Sequence, residues 1–226
     1  MDLRPLVAEF LGTFALCFIG AGAICTNQWT GGAVGLLGIA IAHGTVLAVM
    51  ISALGHVSGG HFNPAVTTGL FVAKKIDLKQ AGNYWAAQLF GAAAAGYILK
   101  AIVPPMVWRA VHLGAPGLGF GIGAGEAIVF EMILTIFLVL AVFGTAVDPK
   151  GSWNAVAGFG IGTVLIFDIL VAGPLTGAAM NPARAFGPAL ASGYWDNHGI
   201  YWIGPLLGGV LAGFLYRGVF LSSKKH

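Results

Sequence analysis

The sequence predicts an all-α membrane protein: six transmembrane helices plus two re-entrant half-helices, arranged as inverted three-helix repeats. Three observations predict this. Hydrophobic residues make up 58% of the 226 and charged residues only 8%, whereas a soluble domain carries ~25% charged residues; the chain lacks the material for a wet exterior. Six apolar stretches each reach the ~20 residues needed to cross the hydrocarbon core. The tripeptide Asn-Pro-Ala occurs twice, at Asn63-Pro64-Ala65 and Asn181-Pro182-Ala183, each time opening an apolar piece too short to cross. The net charge of +3 is too small to suggest a nucleic-acid partner.

The predicted spans run over residues 6–26, 34–55, 80–103, 125–146, 154–173 and 200–220. The first begins near Leu6 and reads as a retained helix rather than a cleaved signal segment. It holds both cysteines, Cys17 and Cys25; eight residues of helix rise ~12 Å, too far for a disulfide, so both read as packing residues. The short pieces, 64–72 and 182–190, start where Asn supplies a good N-cap and Pro a good first helical residue. A half-helix is tolerated at membrane depth only when buried or lining a wet cavity. The sixth span carries Gly204, Gly208, Gly209 and Gly213, a small-residue spacing that lets helix backbones approach closely.

The two motif asparagines lie 118 residues apart, and the acids Glu9 and Glu131, in the first and fourth spans, 122 apart. The chain therefore reads as one transmembrane domain, 1–226, with repeat one at about 1–110 and repeat two at about 120–226. Three spans per repeat is an odd number, so the second repeat is inverted and the half-helices point their N-termini at each other. Arg4, Lys74, Lys75, Lys79, Lys150, Arg217, Lys224 and Lys225 fall on the side of the termini, against Lys100, Arg109 and Arg184 elsewhere. This bias predicts cytoplasmic termini.

Each motif Asn would cap its half-helix through its side-chain oxygen, leaving the amide NH2 to donate into a cavity. The two half-helix N-termini add partial positive charge there. Such a midplane site suits a small neutral molecule with a lone pair and is poor for cations. The carbonyls of Gly60, His61, Gly177 and Ala179, in the non-helical stretches before each Asn, need polar partners that a file of solute would supply.

The segments AEFLGT, SGGHFNPAV and MNPARAFGPAL make the chain resemble the aquaporin, or major intrinsic protein, family along nearly its whole length. The resemblance implies a selectivity filter of His43, Ile169, Ala178 and Arg184. An arginine at membrane depth is costly and usually functional; in aquaporin-type pores an arginine and half-helix dipoles exclude protons and cations. Water-selective members usually carry Phe at the position of His43 and His at that of Ile169. The set found here, together with GTAVDPKGS, is similar to plant tonoplast intrinsic proteins, which often pass water together with ammonia, urea or hydrogen peroxide. Ala185 stands where glycerol-selective relatives carry Asp, so glycerol is not expected as the main solute. The resemblance also implies an apolar pore wall of Leu16, Leu47, Val66, Leu138, Leu165 and Met180, and a homotetramer with one pore per subunit. Glu9 and Glu131, buried acids that need partners, would support the loop of their own half. His61 would lie near the pore and help fix its loop.

A passive channel for water and small neutral solutes in a lipid bilayer is the leading expectation, with no cofactor or metal. A coupled secondary transporter would use the same inverted architecture but needs an ion site, for which Glu9, Glu131, Asp168 and Glu126 are the available acids. A junction-type structural membrane protein is the third reading. An enzyme is least supported, since no triad or metal cluster stands out. The short termini suggest a prokaryotic plasma membrane, although the filter resembles a vacuolar group. Asp168 is left between a subunit contact and a local pair, and His112 between the outer vestibule and solvent.

Overall fold

The structure is a computed structural model that describes residues 2–150 and 156–221. Lys224 and Lys225, residues 154 and 155 of the fifth predicted span, and the Gly151-Ser152 end of GTAVDPKGS lie outside the described residues.

The six spans are α1 (Arg4–Trp29), α2 (Gly35–Ser58), α4 (Leu78–Ile102), α6 (Ala124–Val142, continued by a π-turn to Val147), α7 (Ala157–Thr176) and α9 (Ile200–Leu215, continued by a π-turn to Phe220). Between them lie the half-helices α3 (Pro64–Val72) and α8 (Pro182–Ser192), and a short helix α5 (Pro105–Ala110) that the sequence reading did not foresee. The fifth span runs through Pro174, one turn past its expected end at 173; Gly177, at φ 83°, then closes it by donating its N–H to Gly173 O at 3.0 Å. Pro174 has no N–H to donate to Leu170 O, so the helix continues through it with one ladder bond fewer.

The helices pack as intimately crossed pairs, α2 with α7, α6 with α9 and α1 with α4, while α3 lies against α9 and α8 against α4. Glycine makes the crossings possible. A Cβ on Gly208 would overlap the Met132 carbonyl of α6, and one on Gly213 would stand 2.5 Å from the Gly69 carbonyl of α3. Gly44 and Gly162 face each other so closely that a Cβ on either would meet the other's carbonyl. Lipid tails give no hydrophobic drive for helix association, so such backbone contact has to supply the attraction. Large apolar side chains such as Phe90, Phe137, Phe159 and Phe214 remain exposed on the outside, as lipid-facing residues do.

Candidate channel site

The loops before the two half-helices are built on the same pattern. The Ser58 hydroxyl donates to Glu9 Oε1 at 2.7 Å, and the His61 and Phe62 N–H groups donate to Oε1 and Oε2 of the same carboxylate at 2.9 and 2.7 Å. In the other half the Thr176 hydroxyl and the Ala179 and Met180 N–H groups donate to Glu131 at 2.7, 2.9 and 2.7 Å. Tyr84 Oη donates to Ser58 O and Tyr201 Oη to Thr176 O, both at 2.8 Å. Each buried carboxylate thus collects the N–H groups of a loop that has no helix to satisfy them. This chemistry holds Phe62 and Met180 at positive φ, 48° and 51°, a conformation that costs non-glycine residues energy.

Asn63 Oδ1 accepts from Ala65 N at 2.7 Å; Asn181 Oδ1 accepts from Ala183 N at 3.0 Å and Arg184 N at 3.2 Å. Both asparagines therefore cap helices that begin at Pro64 and Pro182, and Ala65 and Ala183 are fully buried just behind them. The expectation of a free amide needs correction. Asn63 Nδ2 donates to Met180 O and Asn181 Nδ2 to Phe62 O, each at 2.9 Å. One hydrogen of each amide ties the two loops together through the carbonyl before the other motif, which has no other partner among the described residues; one hydrogen per amide remains for the cavity.

Around this junction runs a narrow cavity of ≈ 20 Å³, above the ~10–15 Å³ that holds a single water. Leu16, Leu47, Val66, Leu138, Leu165 and Met180 all line it, as do Gly60, His61, Ala178, Ala179 and both asparagines. His43, Ile169 and Arg184 stand at one end, shared with a vestibule of ≈ 250 Å³ on the face away from the termini. Ile51 stands at the other end, shared with a space of ≈ 410 Å³ lined also by Ser52, His56 and Gly158. The path is an hourglass. Gly177, the αL residue closing α7, lines the vestibule next to the narrow cavity.

Arg184 is buried. Its Nη1 donates to Gly114 O at 3.0 Å, and its Nη2 lies 3.3 Å from His43 Nε2. His43 Nδ1 is 2.9 Å from Ile39 O. A carbonyl only accepts and a guanidinium only donates, so the imidazole is neutral, with its hydrogen on Nδ1 and a bare Nε2 facing Arg184. His61 is held by a different network. Gln88 Nε2 donates to Glu9 Oε2 at 2.7 Å and to Thr67 Oγ1 at 3.0 Å, and the same hydroxyl lies 3.0 Å from His61 Nδ1.

Sequence reasoning missed Gln88, the Tyr84/Tyr201 and Ser58/Thr176 pairs, the Gly114 carbonyl, and Ile51, Val142 and Ile161 of the cavity wall. The pairs carried a signal, since they repeat at offsets of 117 and 118, like the asparagines. His112 does not line the vestibule; it stacks on Tyr194 with centroids 3.9 Å apart. Asp168 is buried inside the chain, away from the cavity, and its Oδ2 has no hydrogen-bond partner among the described residues.

A six-span helical fold whose paired half-helices meet over a narrow cavity defines a membrane channel of the major intrinsic protein type. The chain belongs to that family: the family model, Major intrinsic protein, matches residues 1–216. It is 44% identical to Aquaporin TIP4-4 of Zea mays, over 99% of this chain and 89% of that protein, and 43% identical to Aquaporin TIP2-1 of Arabidopsis thaliana, over 100% and 90%. Among solved structures it is similar to the aquaglyceroporin from Plasmodium falciparum, with a TM-score of 0.80, 28% identity and 97% of each chain covered. The protein is an integral membrane protein of an aquaporin, non-enzymatic family.

Proposed function

We propose that this aquaporin is a passive channel passing water together with ammonia, urea or hydrogen peroxide, and excluding protons and ions. The observation that carries this is Arg184, held at the neck by Gly114 O and His43 Nε2, with aliphatic Ile169 and small Ala178 as the remaining wall. Arg184 supplies donors and positive charge, which favour a neutral solute with a lone pair and repel cations. Ile169 offers no hydrogen bond, so the neck demands fewer polar contacts than one walled by a second histidine. Below it, one free amide hydrogen on each of Asn63 and Asn181, backed by two half-helix N-termini, orients the solute. Leu16, Leu47, Val66, Leu138, Leu165 and Met180 give it nothing to bind, so it passes quickly.

The test is stopped-flow shrinkage of proteoliposomes, followed by ammonia, urea and peroxide uptake, with and without ion gradients. Fast flux independent of any gradient supports the channel; gradient-dependent uptake would defeat it in favour of coupled transport. Arg184→Val should admit protons or cations while water flux persists.

The finer assignments rest on other grounds. The excess of basic residues on the side of the termini supports cytoplasmic termini. A homotetramer with one pore per subunit rests on the family resemblance, and the exposed apolar helix faces are compatible with subunits or lipid. The expected prokaryotic plasma membrane draws no support from the named relatives, which are plant proteins.

A further inference from the structure

The groups that hold Arg184 share a floor. The turn of α1 at Gly20 and Ala21 lies under both His43 and Gly114. A Cβ on Gly20 would overlap His43 Nε2 and stand 2.5 Å from its Cδ2 and 2.9 Å from its Cε1; a Cβ on Gly114 would stand 3.0 Å from the Ala21 Cα. The imidazole tip therefore rests on the bare backbone of α1. It is buried, tied at Nδ1 to Ile39 O, and opposed at Nε2 by the guanidinium.

We propose that Gly20 is a positioning residue for selectivity: the missing side chain sets how far the His43–Arg184 pair stands back from the conduit, and so the width of the neck. This rests on the reading of His43 and Arg184 as the filter. A methyl group on Gly20 has nowhere to go. The α1 backbone is packed along α4 and α2, so the ring must give way, and the open space beside it is the cavity that it lines. A ring moved off α1 narrows the neck and presses its bare Nε2 on Arg184. Selectivity thus depends on a residue that donates no group to the solute. Gly22, two residues on, makes the contrast, because a Cβ there would meet only Leu99 Cδ2, at an ordinary 3.6 Å.

The experiment compares wild type, Gly20→Ala, His43→Ala, the double variant and Gly22→Ala in proteoliposomes, reading water and urea permeability at equal protein content. Gly20→Ala is expected to lower water permeability about tenfold, which corresponds to ~1.4 kcal/mol of barrier, and to change it less than about twofold when His43 is already Ala. Gly22→Ala should behave as wild type. Wild-type permeability of Gly20→Ala, or an equal loss in both His43 backgrounds, overturns the proposal. If Gly20→Ala gives no folded channel, folding must return in the double variant; failure in both backgrounds also overturns it. The filter reading is judged separately: His43→Ala with an unchanged urea-to-water ratio sinks that reading, whatever Gly20 does.

Discussion

Asn63 donates its side-chain amide to the carbonyl of Met180, 2.9 Å away and 117 residues further along the chain. Asn181 returns the bond to Phe62 O at the same distance. The two repeats are therefore sewn together at the point where their half-helices begin, and each motif completes the other's loop.

Asn63→Ala removes an N-cap, worth ~1 kcal/mol, and orphans the buried Met180 carbonyl, at ~1–3 kcal/mol. Thermal unfolding in detergent should show a loss of about 2–4 kcal/mol. Because the two asparagines join one junction, the double variant Asn63→Ala/Asn181→Ala should lose less than the sum of the single losses. Strict additivity would show that the cross-loop bonds are not coupled.

Glu131 accepts three hydrogen bonds, and two of the donors, the Ala179 N–H on Oε1 and the Met180 N–H on Oε2, cannot reverse. Glu131→Gln therefore puts its NH2 against a backbone N–H in either orientation, with an expected loss of about 3 kcal/mol. Glu131→Gln should be far more harmful than its nearly equal volume suggests. A melting temperature within a degree or two of wild type would contradict this account of the loop.

Gly208 and Gly82 are both helical, yet opposite outcomes are expected. Gly208→Val drives a side chain into the Met132 carbonyl and the Thr135 side chain, costing about 3 kcal/mol or more. A Cβ on Gly82 meets nothing within 4 Å, so Gly82→Ala should be neutral or stabilising by ~0.5–1 kcal/mol through helix propensity. Equal tolerance at both sites would mean that close backbone approach is not what these glycines provide.

At the face of the termini, Asp148 accepts from Lys150 N at 2.9 Å and from Tyr216 Oη at 3.0 Å. The Lys150 N–H, foremost, holds its carboxyl below the usual carboxylate range. A lowered folded value means stability present above the unfolded pKa and lost as pH falls through the folded one. Melting temperature should therefore fall as pH drops through and below the ordinary carboxylate range, and Asp148→Asn should flatten part of that limb. An acid limb of unchanged depth in the variant would place the sensitive group elsewhere.

Much of this was legible in the chain. The spans came from runs of apolar residues, and a helix that must satisfy its own backbone in lipid leaves little choice of structure. The half-helices came from Asn-Pro, a local signal read within four residues. Glu9 and Glu131 were marked by their cost, since an acid in an apolar helix must find donors. Gln88 and the Gly114 carbonyl carried no such mark: a Gln in a membrane helix has many uses, and a backbone carbonyl is present at every residue. His112 could be placed only once Tyr194 was seen beneath its ring.

By itself the sequence determined a membrane channel with two inverted halves, because composition, span length and capping chemistry are local properties. Only the tertiary structure decided how the pieces meet: that each Asn amide crosses to the other loop, that His43 turns a bare nitrogen toward Arg184, and that α1 withholds a side chain at Gly20. Those relations join residues 23 to 141 positions apart, and hydrogen-bond direction and contact at ångström distances exist only when the backbones are in place.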